Sequence, residues 1–458
     1  MSVHFQKKTI LYFSPHQDDE ILSMGIDICN SVNGGHDVHV ILCTDGSKSM
    51  VRDELANGKG SGKPMGTHTY HLTEEEFITA RDIEFRESCR ALGVEEGNVH
   101  ILKHRFADQK LTVYNSKKIL LQYLNVMGPD CVVCTLDPNL ENNWQHRDHK
   151  ALGYAAAELF NEGFIRELRL FTEPYHSEFF HHKTDFVRGE IRVVIDTATA
   201  FVKGKIQKAA EAYSHWEPEA GRYAVGYRDI AKAFNTILKN GSSYCHICTC
   251  EADFLKPGVS KCRKLIVSMN SDPIGLNVAV KTIDTVYDQS LIPDAIILWL
   301  ATTDFPNREK DLPETLIKKA EENNLFIRWY GSDMKAQDKY VWAVYEYPDD
   351  VVISVDDDML CYDQFTENLY HSYLFYLQNA SDARVCFAPI PAAGDISLDG
   401  ESIYKTVTYC KAEVSCLKKL QDNYRELLDD LKTKHGIIVR LAKEIGKLKQ
   451  ELKSVKTD

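Results

Sequence analysis

The residues best suited to chemistry stand in two short clusters that each follow an apolar run. The first cluster, SPHQDDE at 14–20, comes directly after TILYF at 9–13 and contains one histidine and three carboxylates. The second, HRDH at 146–149, comes after CVVCTL at 131–136 and opens a predicted helix. Ligands of open α/β sheets bind at the carboxyl ends of the strands. We therefore expect the two clusters to meet at one edge of a sheet.

Two histidines and one carboxylate form the usual protein ligand set of a catalytic zinc ion, which keeps its fourth position open for water. The candidate ligands here are His16, Asp19 and His149. The same types of ligand also hold non-haem iron(II), so the residue types alone do not separate zinc from iron. Beside the metal, Asp18 is the candidate general base for an attacking water, and His146, one helical turn before His149, is a candidate acid or electrostatic partner.

The pattern of the first zone, residues 1–240, predicts the elements that would position these clusters. Short β-branched runs at 9–13, 38–44 and 131–136 alternate with helical stretches. Strands this apolar are typical of a parallel sheet that is covered by helices on both faces. The sequence therefore predicts an α/β fold for this zone.

The two clusters resemble the paired motifs of the PIG-L (LmbE-like) zinc-dependent de-N-acetylases. Further matches are Arg81, Glu84 and the Leu92-Gly93 pair, and RFADQKL around Asp108 resembles the acidic turn of the family. The resemblance covers about residues 7–180. It implies a Rossmann-like domain that removes acetyl from an N-acetylglucosamine-type sugar or its conjugate, with Zn²⁺ or Fe²⁺ as the metal.

The resemblance also implies roles for single residues. His16, Asp19 and His149 match the metal ligands, and Asp18 matches the general base. His146 matches the residue that stabilises the oxyanion and protonates the leaving amine.

Three further positions match more peripheral roles, and two depart from the family pattern. Asp148 matches the residue that supports the catalytic histidine, and Arg81 and Asp108 match positions that contact substrate. Gln17 stands where the family usually has proline, and Arg147 is unusual in the second motif. Neither departure replaces a ligand, so we expect the chemistry to survive.

A second zone, residues 262–410, repeats the strand and helix alternation, with apolar runs at 264–268, 295–300, 325–330 and 351–355. The last run ends at Asp356, Asp357 and Asp358, and carboxylates at a strand end can hold a hard divalent cation that grips a diphosphate. Residues 262–375 resemble the nucleotide-binding half of a GT-A-type, family 2-like glycosyltransferase. That resemblance implies Mg²⁺ or Mn²⁺ at the acidic triplet and a nucleotide-sugar donor.

The remaining parts of the chain predict a boundary and an assembly element. Residues 241–261, rich in glycine, serine and cysteine, are predicted to be a linker. In residues 411–458, apolar residues recur every seven positions in two sets offset by three, and the rest is mostly charged. This pattern predicts a coiled coil and hence a homo-oligomer.

Composition narrows the function classes. Lysine and arginine number 54 and aspartate and glutamate 67, giving a net charge of −13. That charge argues against nucleic acid as a partner. No apolar stretch approaches the roughly 20 residues of a transmembrane helix. Thirteen scattered cysteines without a signal-peptide pattern favour reduced thiols in the cytoplasm.

We therefore expect a cytoplasmic, metal-dependent N-deacetylase fused to a glycosyltransferase-like module in glycan or glycoconjugate biosynthesis. The alternative is a glycosyltransferase, or an oligomeric scaffold, whose deacetylase-like domain is inactive.

Overall fold

The computed structural model describes residues 7–58, 69–128, 130–139, 146–180, 186–188, 190–250, 262–331, 338–379 and 386–387. They all belong to one compact unit, Met1–Pro389. Within it the described residues form two lobes, each built on its own sheet. The predicted coiled coil at 411–458 lies outside the described residues.

The first lobe is built on a seven-stranded sheet in the order β3-β2-β1-β4-β5-β9-β6. Its strands are β1 Thr9–Ser14, β2 Asp37–Thr44, β3 Val99–Phe106, β4 Val132–Leu136, β5 Glu167–Thr172, β6 Glu190–Thr197 and β9 Ser242–Thr249. Strands β1 to β5 pair in parallel. A small hairpin, β7 Trp216–Glu217 and β8 Arg222–Tyr223, stands apart from this sheet.

Helices cover both faces of this sheet, because its strands carry apolar side chains on both faces. They are α1 Asp19–Leu22, α2 Gly25–Asn33, α3 Val51–Asn57, α4 Glu74–Leu92, α5 Val113–Met127, α6 Arg147–Asn161, α7 Ala200–Ser214 and α8 Val225–Asn240. Alternate side chains of β1 point to opposite faces of the sheet. Tyr12 joins the core that α2, α4, α7 and α8 close, whereas Phe13 meets Tyr123 of α5 edge to face at 5.7 Å. The α/β prediction for this zone is therefore confirmed.

The segment predicted as a linker contains a strand of the first sheet. β9 lies between β5 and β6 and pairs antiparallel with both. Cys245 and Cys248 are buried on opposite faces of this strand, and their thiols pack in the sheet like small apolar side chains. The first lobe thus extends at least to Thr249, beyond the boundary that we predicted at residue 240.

The second lobe is built on a five-stranded parallel sheet in the order β12-β11-β10-β13-β14. Its strands are β10 Leu265–Ser271, β11 Ala295–Ala301, β12 Leu325–Tyr330, β13 Val351–Ser354 and β14 Cys386–Phe387. Its helices are α9 Leu276–Tyr287, α10 Glu314–Glu322, α11 Asp338–Glu346 and α12 Phe365–Asn379. The four predicted strands are all present. Among the described helices, none has the length and apolar character needed to cross a bilayer.

Candidate metal centre

Three predicted ligands meet at the carboxyl edge of the first sheet. His16 Nδ1 lies 3.1 Å from His149 Nε2 and 3.2 Å from Asp19 Oδ2, and His149 Nε2 lies 3.2 Å from the same Asp19 oxygen. A tetrahedral zinc ion with ligand bonds of about 2.0–2.1 Å needs donor atoms about 3.3–3.4 Å apart. The three side chains are buried and almost at this spacing, so the set fits a metal ion of that kind.

The loop that follows β1 is folded by its own polar side chains. The hydroxyl of Ser14 donates to the carbonyl of His16 at 2.8 Å, and the backbone N–H of His16 donates to Asp19 Oδ2 at 2.9 Å. Gln17, in the place of the usual proline, donates to the carbonyl of Asp45 at 3.1 Å and to Asp82 Oδ1 at 3.0 Å. Hydrogen bonds from the side chain of Gln17 thus connect this loop to the segment after β2 and to helix α4.

The outer nitrogen of His16 faces a second carboxylate. Asp148 Oδ2 lies 3.0 Å from His16 Nε2 and is itself fixed by the backbone N–H groups of Gln109 and Leu111, at 2.8 and 2.9 Å. We expected Asp148 to support His146, but that carboxylate is 3.8 Å from His146 Nδ1. In the structure Asp148 therefore contacts the candidate ligand His16 more closely.

A carboxylate lies beside the outer nitrogen of each candidate ligand histidine. With Asp148 beside Nε2 of His16, we assign the proton to that nitrogen, which leaves the Nδ1 lone pair facing Asp19. His149 Nδ1 lies 3.5 Å from Glu173 Oε1, and its Nε2 faces inward, 3.2 Å from Asp19 Oδ2. Two imidazole lone pairs and a carboxylate oxygen that converge in this way are the donor set of a metal ion.

Glu173 is a site residue that our sequence reasoning missed. The hydroxyl of Tyr175 donates to its carboxylate at 2.6 Å, and His176 Nδ1 lies 3.0 Å from its other oxygen. No motif marks Glu173. It does follow β5 directly, as the two motifs follow β1 and β4, so the strand-end rule that led to those motifs could have found it.

Asp18, the candidate base, is held by Arg81. The guanidinium of Arg81 donates to Asp18 Oδ2 at 3.2 Å and to the carbonyls of Gly46 and Gln17, both at 2.9 Å. We expected Arg81 to contact substrate; in this structure it is only 3% exposed and braces the loop after β1. Asp18 adopts φ 111°, a positive value that is uncommon for a residue with a side chain.

Asp108 stands between two histidines. Its Oδ1 lies 3.4 Å from Nε2 of His16 and 3.4 Å from Nε2 of His146, and its Oδ2 accepts from the N–H of Lys48 at 3.2 Å. His146 is the N-cap of α6, and its Nδ1 accepts from the N–H of Asp148 at 3.4 Å. That contact assigns the His146 proton to Nε2, which faces Asp108. Asp108, like Arg81, was expected to contact substrate.

Burial and neighbouring charges shift the pKa values of these groups in a consistent pattern. Burial lowers the pKa of His16 and of His149, but their carboxylate partners outweigh it, and both values rise above the usual range. Burial, together with the charge of His16, lowers the pKa of His146 to about 3. Burial raises the pKa of Asp18 well above its usual value, against the opposing charge of Arg81.

The acidic triplet of the second lobe does not assemble a comparable cluster. Asp357 accepts from the hydroxyl of Ser271, and Asp356 pairs with Lys339, whereas Asp358 is exposed. Within the described residues, the groups of side chains close enough to share a metal ion include none of the three. The predicted Mg²⁺ or Mn²⁺ site therefore lacks support in this geometry.

Comparison with known proteins gives a family match for the first lobe. Residues 11–160 match the PIG-L family, described as GlcNAc-PI de-N-acetylase. No curated protein sequence matches this chain.

Several solved structures are similar, all at low sequence identity. The zinc-inhibited form of teicoplanin deacetylase Orf2 is 14% identical, with 54% of this chain and 100% of that chain covered and a TM-score of 0.36. N,N'-diacetylchitobiose deacetylase from Pyrococcus horikoshii is 19% identical, with 53% and 84% covered and a TM-score of 0.36. The A40926 pseudoaglycone deacetylase Dbv21 is 18% identical, with 53% and 97% covered and a TM-score of 0.35.

The family match contains His16, Asp19 and His149, so all three candidate ligands lie inside the matched region. Residues 11–160 of this chain are therefore similar to the PIG-L family.

Proposed function

We propose that this protein is a metal-dependent N-deacetylase that hydrolyses the N-acetyl group of an amino sugar or a conjugate of one. The observation that carries the proposal is the triangle formed by His16 Nδ1, Asp19 Oδ2 and His149 Nε2, with edges of 3.1–3.2 Å. The family description of the matched region, GlcNAc-PI de-N-acetylase, supports the sugar amide as the class of substrate.

A zinc(II) or iron(II) ion on these three residues would polarise the amide carbonyl and acidify the attacking water. Asp18 then removes a proton from that water. Its pKa, raised chiefly by burial, makes the carboxylate a stronger base than an exposed aspartate. Arg81 holds the Asp18 carboxylate in one orientation through the contact at 3.2 Å.

His146 acts in this mechanism as a neutral imidazole. Because its pKa is lowered to about 3, the ring carries no positive charge at neutral pH. Its Nε2–H can donate a hydrogen bond to the oxygen that becomes negative in the tetrahedral state. The proton that the leaving amine needs is then the one that Asp18 took from water. Acetate and a free amine leave, and Asp18 is again a carboxylate.

The alternative of an inactive deacetylase-like domain is disfavoured by the same geometry. A domain that had lost its chemistry would be free to lose a ligand or the candidate base. Here His16, Asp18, Asp19 and His149 are all present and buried together.

The proposal is tested by acetate release from a panel of N-acetylglucosamine-containing compounds, with metal content measured on the same samples. We expect about one metal ion per chain, and loss of both metal and acetate release in His149→Ala. The matched control is His215→Ala, which removes an exposed histidine of the same lobe. Bound metal with no acetate released from any N-acetyl sugar of the panel would contradict the proposal.

Sugar transfer by the second lobe stays a prediction from its sequence, as does a coiled-coil homo-oligomer. The parallel sheet places the triplet at a strand end, but fold alone does not fix function. Titration of the protein with Mn²⁺ and a nucleoside diphosphate would test the transferase prediction directly.

A further inference from the structure

The helix that carries His149 contacts the second lobe through a different face from the one that carries His149. Arg147, Lys150 and Tyr154 follow one another at spacings of three and four residues, so they share one face of α6. His146 and His149, also three residues apart, share the face that meets His16. The first turn of α6 thus has one side in the candidate metal centre and another against the second lobe.

Arg147 closes the end of a helix in the second lobe. Its guanidinium donates to the carbonyls of Tyr287 and Asp288, at 3.4 and 2.8 Å. These are the last residue and the C-cap of α9, where carbonyl groups lack partners inside the helix and the helix dipole favours a cation. The arginine that is unusual for the PIG-L motif therefore has a specific partner outside the PIG-L-type domain.

Lys150 reaches a buried carboxylate of the second lobe. Its ammonium lies 2.6 Å from Glu367 Oε2, which also accepts from the hydroxyl of Ser290 at 2.6 Å. The hydroxyl of Tyr154 donates to the other oxygen of Glu367 at 3.1 Å. Lys150 is 1% exposed and Glu367 is fully buried. A buried pair with every charge met by hydrogen bonds has one favourable geometry, so it fixes position.

A second contact joins the two lobes farther along the same helix. Glu158 of α6 accepts from the hydroxyl of Tyr373 at 3.1 Å, and it also contacts Tyr370, Arg263 and Lys117. Glu158 lies nine residues after His149, which is about 13 Å along the helix axis. This far contact holds the lobes together without touching the ligand end of α6.

We propose that Arg147 and the Lys150–Glu367 pair are positioning residues through which the second lobe holds His149 at the metal centre. The Nε2 atom of His149 must stay within a few tenths of an ångström of its place beside the metal position, and helix α6 sets that place. The second lobe is then part of the deacetylase, whatever else it binds. This inference rests on the proposed function only in taking His149 as a metal ligand.

Cobalt(II) is a suitable probe because its visible absorption reports ligand geometry independently of turnover. The test titrates the full chain with Co²⁺ in wild type, Arg147→Met, the double variant Lys150→Met with Glu367→Gln, and Tyr373→Phe. The double variant leaves no buried unpaired charge. The carbonyl oxygen of glutamine can accept from one of the two hydroxyls, Ser290 or Tyr154, and its NH2 group can donate to the oxygen of the other, so the fold should persist. Tyr373→Phe is the matched control, because it removes one interlobe hydrogen bond at the far contact.

We expect Co²⁺ affinity to fall about 10- to 100-fold in Arg147→Met and in the double variant, the range typical of partners that orient a ligand. Their absorption spectra should change, Arg147→Lys should recover part of the affinity, and Tyr373→Phe should stay within about twofold of wild type. The proposal would be overturned if Arg147→Met and the double variant bound Co²⁺ as tightly as Tyr373→Phe and kept the wild-type spectrum.

Hydrogen exchange gives a readout that needs no metal. We expect the backbone amides in the first turns of α6, around His149, to exchange faster in Arg147→Met than in Tyr373→Phe. If the wild-type protein bound no Co²⁺, the proposed function would fail. The exchange rates would still show whether the contacts of Arg147 with the second lobe hold the first turns of α6 in place. Equal rates in the two variants would show that they do not.

Discussion

The carboxylate of Asp148 lies 3.0 Å from Nε2 of His16, on the side of the imidazole that faces away from the candidate metal position. This pairing fixes the tautomer and the direction of the ring, because the backbone N–H groups of Gln109 and Leu111 donate to the carboxylate and hold it in place. The second motif therefore serves the metal centre twice, through the candidate ligand His149 and through the orientation of His16.

Asp148→Asn should weaken metal binding by about 10- to 100-fold, because the amide removes the negative charge that orients His16. Competition with a chromophoric chelator measures this affinity. Asp27→Asn is the matched control, since Asp27 forms a comparable pair with Arg169 at 3.0 Å in the same lobe but contacts none of the ligands. Equal metal affinities in the two variants would show that Asp148 does not contribute to metal binding.

Asp18→Asn should lower kcat by about 10²- to 10⁴-fold while metal content stays at the wild-type level. Asparagine keeps the shape of the side chain and tolerates the positive φ of this position, so the loop should fold normally. Acetate release and elemental analysis of one preparation give both quantities. Loss of metal together with activity would mean that Asp18 supports the ligands and is not the base.

Metal affinity should rise with pH. The pKa values of His16 and His149 are raised above the ordinary 6.5 or so, because their carboxylate partners outweigh burial. A proton and a metal ion compete for the same lone pair, so binding weakens as pH falls through the raised values. Metal titrations between about pH 6 and 9 would show the trend. An affinity that does not change over this range would contradict the raised pKa values of His16 and His149.

Gly46→Ala should destabilise the protein by at least about 1–3 kcal/mol. Gly46 has φ +66°, and a Cβ there would stand 2.2 Å from Gln17 Oε1 and 2.8 Å from Arg81 Nη1. The added methyl group would thus push apart the contacts that hold the loop after β1. Denaturant unfolding measures the loss, with Gly97→Ala as the control because no atom lies within 4 Å of its added Cβ. That control should change stability by no more than about 0.5 kcal/mol.

The strands and the ligand set were predictable for one physical reason. Strands as apolar as β1 and β4 are stable only when both of their faces are buried. Because such strands run parallel, the residues that follow them lie at the same edge of the sheet. His16 and His149 could therefore be brought together although 133 residues separate them.

Contacts that depend on how helices pack were not predictable from local pattern. The bracing role of Arg81 follows from the path of α4 past the loop after β1. The partner of Lys150 lies 217 residues away in another lobe. Strand β9 was missed because its glycine and serine neighbours suggested a linker, whereas pairing with β5 and β6 decided its structure.

The place of β9 has a consequence for how the chain is synthesised and dissected. A ribosome releases β6 before β9, yet among the described strands β6 pairs with β9 alone. The last strand of the sheet must therefore wait for about fifty more residues to emerge, and folding of this lobe finishes late in its own synthesis. A chain cut at residue 240 would lose β9 and leave the edge of β5 without its partner, so it should aggregate, whereas a chain that retains Thr249 keeps the sheet closed.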